Sequence, residues 1–147
     1  MTKCALRSLA ALLLACAWLA GCASIAPYSQ KAYEQATSLK VEALAVMDKA
    51  ESPFAGQKAV VEALRLNLDK AYEYAKGRPK NEISTRQWAI LKDPSRNSLG
   101  GFLKRWEEKQ TLSEAFIAQA KDLVADGFDT VIGLESGKIK PADAQTP

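Results

Sequence analysis

Apolar residues recur at steps of three and four in three long stretches of this chain, and no stretch of any length alternates with a period of two. That pattern most constrains the fold, because a period near 3.6 buries one side of a helix and leaves no sheet face to pair. Tyr33, Ala36, Leu39, Ala43, Val46, Met47 and Ala50 trace the first stripe, within a helix expected from Tyr28 to about Ala50. A break follows at Glu51–Gly56, where Pro53 removes an amide donor and restricts Ser52. A second helix is expected from about Gln57 to Lys76. Its inner face would hold Val60, Ala63, Leu64, Asn67, Ala71, Tyr74 and Ala75, with Leu68 and Tyr72 flanking, and Gly77-Arg78-Pro79 closing it. The short connection makes these two helices antiparallel neighbours. The last long stripe carries Phe116, Ala120, Leu123, Val124, Gly127, Phe128, Val131 and Ile132. Thr111 and Glu114 form a capping-box pattern at its start.

Between the second and third stripes the sequence is less regular. Asn81 stands where it can cap a short helix through Ile83, Trp88, Ile90 and Leu91, and Asp93-Pro94 ends that helix. A second short helix runs through Leu103 and Trp106, after Gly100-Gly101 reads as a tight turn. The expected fold is therefore all-α: a bundle of three long helices plus a short helical hairpin, over residues 28–137. The polar, proline-bearing residues 138–147 are expected to form a flexible tail.

The first 21 residues differ from this body. Lys3 and Arg7 precede a 12-residue apolar run, Leu9 to Ala20, and small residues end it. A basic start, a short apolar stretch and a small-residue end are marks of a secretory signal. The run is shorter than the ~20 residues a membrane-spanning helix needs. Leu19-Ala20-Gly21-Cys22 resembles the lipobox of bacterial lipoproteins. That resemblance covers only the leader and the first mature residues. It implies cleavage between Gly21 and Cys22, lipidation of the Cys22 thiol, and residues 22–27 as a lipidated tether. The alternative is a soluble secreted product cut nearby, after Ala23. Ala23-Ser24 follows the cysteine where an aspartate would favour inner-membrane retention. For a Gram-negative source, the resemblance then implies the periplasmic face of the outer membrane.

Removing residues 1–21 leaves 126 residues carrying 18 basic and 17 acidic side chains, close to neutral, so net charge gives no argument for nucleic acid. Cys22 is then the sole cysteine, so no intrachain disulfide can form and packing must hold the fold. The chain has no histidine, which removes imidazole-based catalysis and most zinc sites. No nucleophile, metal or cofactor motif remains, so an enzyme is not expected. The expected function is a non-enzymatic module that binds a protein or anionic polymer of the cell envelope. A carrier or sensor of a small ligand in the bundle core is the second reading, for which Tyr28, Tyr33, Tyr72 and Tyr74 could line a groove between the first two helices. The surface expected to bind is the basic, aromatic middle segment: Arg86, Trp88, Lys92, Arg96, Lys104, Arg105 and Trp106. Against it stands the ordinary alternative that the aromatics are core and the charges a solvated face.

Overall fold

A computed structural model describes residues 26–140 and 143–145. Residues 1–25, which include the expected signal and Cys22, lie outside the described residues. The described chain forms five α-helices and no strand: α1 Gln30–Met47, α2 Phe54–Lys76, α3 Glu82–Lys92, α4 Leu99–Lys109 and α5 Glu114–Ser136. The all-α bundle read from periodicity is the observed architecture, with three long helices and a short pair between the second and third.

Helices α1, α2, α3 and α5 form a closed ring of neighbours, α1 beside α2 and α5, and α3 also beside α2 and α5. Ser29 at the start of α1 meets the hydroxyl of Tyr74 near the end of α2, at 3.0 Å, so those two helices are antiparallel. Lys40 and Lys121 pair with Asp129 and Asp48, which sets α1 antiparallel to α5 as well. One end of the bundle, here the upper end, thus gathers the start of α1 and the ends of α2 and α5. The lower end holds the α1–α2 connection, a 3-10 turn over Asp48–Glu51, and the start of α5.

Helix α3 has 11 residues against 23 in α2 and α5, so it walls only the upper half of its side. Helix α4 closes the lower end. Trp106, with no exposed surface, donates its indole N–H to the carbonyls of Ser52 (3.0 Å) and Gln110 (3.1 Å), and its ring meets Phe54 edge-on. The Phe54 amide donates to Gln110 O and the Leu112 amide to Ala50 O, stitching the α4–α5 connection to the α1–α2 turn. In the upper half Trp88 packs edge-on against Phe128 at 5.9 Å. Such pairs add about 0.5–1.5 kcal/mol beyond the area they bury.

The α1 stripe is buried as expected, with Ala32 in place of Tyr33 at its upper end. Helix α2 departs from expectation twice. It begins at Phe54, immediately after Pro53, because the first free amide finds the Gln110 carbonyl across the lower end. Its buried stripe is Val61, Leu64, Leu68, Ala71 and Ala75; Ala63 is exposed and Val60 and Asn67 are half-buried. In α5 the cap is Ser113, whose hydroxyl accepts from the Phe116 amide, and not Thr111. Gln110 turns through a positive φ of 66° and Leu112 is still bonded to Ala50, so the chain takes up the direction of α5 only at Ser113. Leu123 is 55% exposed, and Ile117 and Leu134 take buried places in its stead.

Gly100 and Gly101 lie in the first turn of α4 rather than in a turn before it. A Cβ on Gly101 would stand 1.9 Å from the Arg96 carbonyl oxygen, and one on Gly100 2.3 Å from that of Lys92. Only glycines let α4 start this close to the backbone that leaves α3. Asn81 stands at the cap position of α3, but its side chain is turned inward. It donates to Ala75 O at 3.0 Å and to Glu135 Oε1 at 3.4 Å, while Arg78 pairs with Glu135 Oε2 and also donates to the Pro27 carbonyl. Arg78 thus ties Pro27 to the bundle, and Ala26 beside it is buried. At the far terminus, Ile139 packs on Gly133, and Gln87 donates to the Ala144 carbonyl in the 3-10 turn Asp143–Gln145. Ile139 and Ala144 thus each touch the helices.

Candidate functional site

The expected binding surface is divided by the fold. Trp88 and Trp106 are 3% and 0% exposed and belong to the core, so their aromatic faces are spent on Phe128 and Phe54. Arg86 is exposed on α3. Lys92, at the end of α3, turns toward α2, pairing with Asp69 and covering the ring of Tyr72 at 4.6 Å. The other three cations, Arg96, Lys104 and Arg105, meet at the rim of one groove.

This groove encloses about 600 Å³ between the loop of residues 94–98, the outer side of α4 and the lower half of α5. Its floor is apolar: Phe102, Phe116, Ala120, Leu123 and Val124. Phe102 and Phe116 stack in parallel at 6.0 Å, and the Arg105 guanidinium lies 4.5 Å from the Phe116 ring centre. Arg96 is 3.4 Å from Asp93, and Lys104 is 3.9 Å from Glu108, one turn on along α4. Both contacts are long and exposed, so they contribute little and leave the cations available to a ligand. Glu108 is the only carboxylate among the lining residues.

The loop wall is built by a side chain that ends α3. Asp93 accepts from both the amide (2.8 Å) and the hydroxyl (2.6 Å) of Ser95. These two bonds, with the nearby Arg96 charge, hold its carboxyl below the usual range for aspartate. Ser98, at the foot of the loop, donates to the Asp93 carbonyl at 3.3 Å. The loop is thus fixed from within, and Arg96 is carried on a defined turn.

The groove's three cations and Phe102 all lie in the basic, aromatic middle segment of the sequence, whereas the rest of its floor does not. Phe116 and Leu123 come from α5, and only the close start of α4 brings them opposite Lys104 and Arg105. Two signals in the sequence belonged to it: the Gly100-Gly101 pair, which permits that start, and Leu123 beside Val124, one apolar residue more than a single stripe can bury. The four tyrosines lie away from this groove, on the side of the first two helices: Tyr28 is exposed, Tyr33 is half-buried on α1, Tyr74 bonds Ser29, and Tyr72 lies under Lys92 and Lys76. The centre of the bundle is filled by its own side chains, and every buried side-chain polar atom among the described residues has a hydrogen-bond partner.

No helix among the described residues is long and apolar enough to cross a membrane. Comparison of the chain with protein-family models, with curated proteins and with solved structures found no match.

Proposed function

We propose that this chain is a lipid-anchored periplasmic module, held at the outer membrane through Cys22, that works without catalysis by docking an acidic segment of an envelope protein in the groove beside α4. The observation that carries this reading is the groove's make-up: an apolar floor rimmed by Arg96, Lys104 and Arg105 against a single Glu108. A buried apolar anchor surrounded by complementary charge is how most protein contacts concentrate their affinity. An anionic polymer would use the cations but leave the Phe116 and Leu123 surface without a partner, so a protein segment suits the groove better. The filled bundle centre removes support from a small-ligand carrier working there.

The groove's position favours the same partner. Pro27 enters at the upper end, whereas the α5 residues of the groove lie eleven or more residues from Glu135, about 17 Å or more along the helix. A domain anchored by its first residues would carry the groove away from its own bilayer. Anchoring also raises the local concentration of partners in the same envelope, so a modest surface suffices.

The test is site-specific photocrosslinking from position 123 of the lipidated protein in intact envelopes. The reading expects a discrete adduct with an envelope protein whose crosslinked peptide is acidic. It expects Arg96→Glu with Lys104→Glu to abolish that adduct, and Arg86→Glu, off the groove, to leave it. Adducts indifferent to the double charge reversal, in a variant with unaltered melting temperature, refute it.

A further inference from the structure

We propose that the upper end of the bundle is a membrane-contact face that takes anionic phospholipid headgroups and stands the domain upright on its bilayer; this rests on the lipid anchor proposed above. Three segments converge there: residues 26–31, 73–82 and 134–140. Arg78 ties them together, bonding Glu135 and the Pro27 carbonyl, and Ser29 adds its bond to Tyr74. These segments hold six cations, Lys31, Lys76, Arg78, Lys80, Lys138 and Lys140, against three carboxylates. Two of the carboxylates are engaged, Glu73 by Lys76 and Glu135 by Arg78. Lys80, Lys138 and Lys140 are exposed and make no ion pair among the described residues. The rest of the mature chain carries 12 basic side chains against 14 acidic ones, of which the exposed Asp143 stands beside Lys140. A chain that is nearly neutral overall therefore concentrates its positive charge on the one end where it would meet the anchor.

Two further observations select a bilayer as the occupant. Tyr28, next to the Pro27 that Arg78 holds, is 64% exposed at the same end. An aromatic ring with a polar tip is the side chain that settles at headgroup level. Only four residues of chain link Cys22 to Ala26, at most about 14 Å. With lipid on Cys22, Ala26 stays within a span of the same order as the Debye length of about 8–10 Å over which a charged surface acts, so upright contact brings the lysines into its reach. Each lysine held near an anionic surface contributes about five-fold to binding. Lys80, Lys138 and Lys140 together then favour the upright contact by on the order of a hundred-fold over a detached, tumbling domain.

The experiment is amine labelling of the mature, lipidated protein in vesicles of phosphatidylcholine alone or with added phosphatidylglycerol, read by mass spectrometry. The proposal expects Lys80, Lys138 and Lys140 to react about five-fold or more slowly with phosphatidylglycerol present. Lys49 and Lys109, at the lower end, should react equally in both. At 1 M salt, where the Debye length is about 3 Å, the protection should vanish. Lys80→Glu with Lys138→Glu should return Lys31 and Lys140 to the rates seen in phosphatidylcholine. Equal labelling of the upper lysines in both vesicles overturns the contact face. The N-terminal peptide in the same spectra reports the acyl chains. Acyl chains present without protection sink this face alone, whereas their absence sinks the anchor and this face with it.

Discussion

Glu135 sits with only 2% of its side chain exposed, facing Arg78 at 12%. Changing Glu135 to alanine removes the acceptor of two donors, the Arg78 guanidinium and the Asn81 amide. Each donor keeps one other partner, the Pro27 and Ala75 carbonyls. Removing one member of a buried ion pair costs about 3–5 kcal/mol, chiefly because the surviving charge stays desolvated. The retained carbonyls and the partial exposure of Arg78 put this site at the low end, about 3 kcal/mol. For a domain of this size that is a fall in melting temperature of roughly 10 °C. Replacing both partners by apolar residues, Arg78→Met with Glu135→Leu, should return stability to within about 1 kcal/mol of the parent. Urea unfolding followed by tryptophan emission suits the measurement, since Trp88 and Trp106 are both buried and protein expressed from residue 22 onward carries no other tryptophan. The reasoning fails if Glu135→Ala costs less than about 1 kcal/mol, or if the double variant loses as much as the two single changes summed.

Other consequences concern the lower half. Gly101→Ala places a Cβ against the Arg96 carbonyl, a backbone atom that cannot yield cheaply, so chemical denaturation should reveal a loss of at least about 2 kcal/mol. Trp106→Phe strips the indole donor from the Ser52 and Gln110 carbonyls and leaves a small void, at a cost of about 2–3 kcal/mol by the same assay. Ser95→Ala should move the Asp93 carboxyl back up toward the ordinary value near 3.9, followed by NMR titration of its side-chain carbon. Because the folded Asp93 is the more acidic form, its contribution is complete above the unfolded value. It fades as pH falls through the folded one, so loop order should drop below about pH 4 in the parent.

How far the fold could be read ahead depended on how much each helix was asked to do. The α1 stripe is legible because α1 meets only two neighbours, α2 and α5, and shows them one narrow face of small and aliphatic residues. In α2 the pairs Val60-Val61, Ala63-Leu64 and Asn67-Leu68 allow two stripes one residue apart. Contact with α1 on one side and α3 on the other selects the line through Val61, Leu64 and Leu68. The Thr111 capping box failed for a tertiary reason: the bond from Leu112 to Ala50 holds the chain in the lower connection for two more residues. Whether the tryptophans face the core or solvent was open in the sequence because spacing does not record what an indole N–H will find. Trp106 finds two carbonyls contributed by different connections. The groove was least legible, since it exists only through the approach of α4 to the 92–96 backbone and through a leucine that α5 leaves outside.

The two ends of the bundle are held by different physics, and this yields a last prediction. The upper end is closed by one buried ion pair and the bonds that satisfy it. The lower end is closed by aromatic packing around Trp106 and by the Phe54–Gln110 and Leu112–Ala50 backbone bonds, none of which involves Arg78 or Glu135. Sites with no shared partners and separated by more than about 7–10 Å behave independently. Glu135→Ala should therefore raise amide exchange over Tyr28-to-Lys31 and in the last turn of α5, while exchange in α4 and at the non-proline amides of the Asp93–Ser98 loop stays at parent values. In intact envelopes the same variant should keep its crosslink from position 123 at temperatures below its lowered melting point. If loosening the upper clasp also frees the α4 amides, the groove is not carried on an independent support. The upright posture and the docking surface would then be two outputs of a single structural transition.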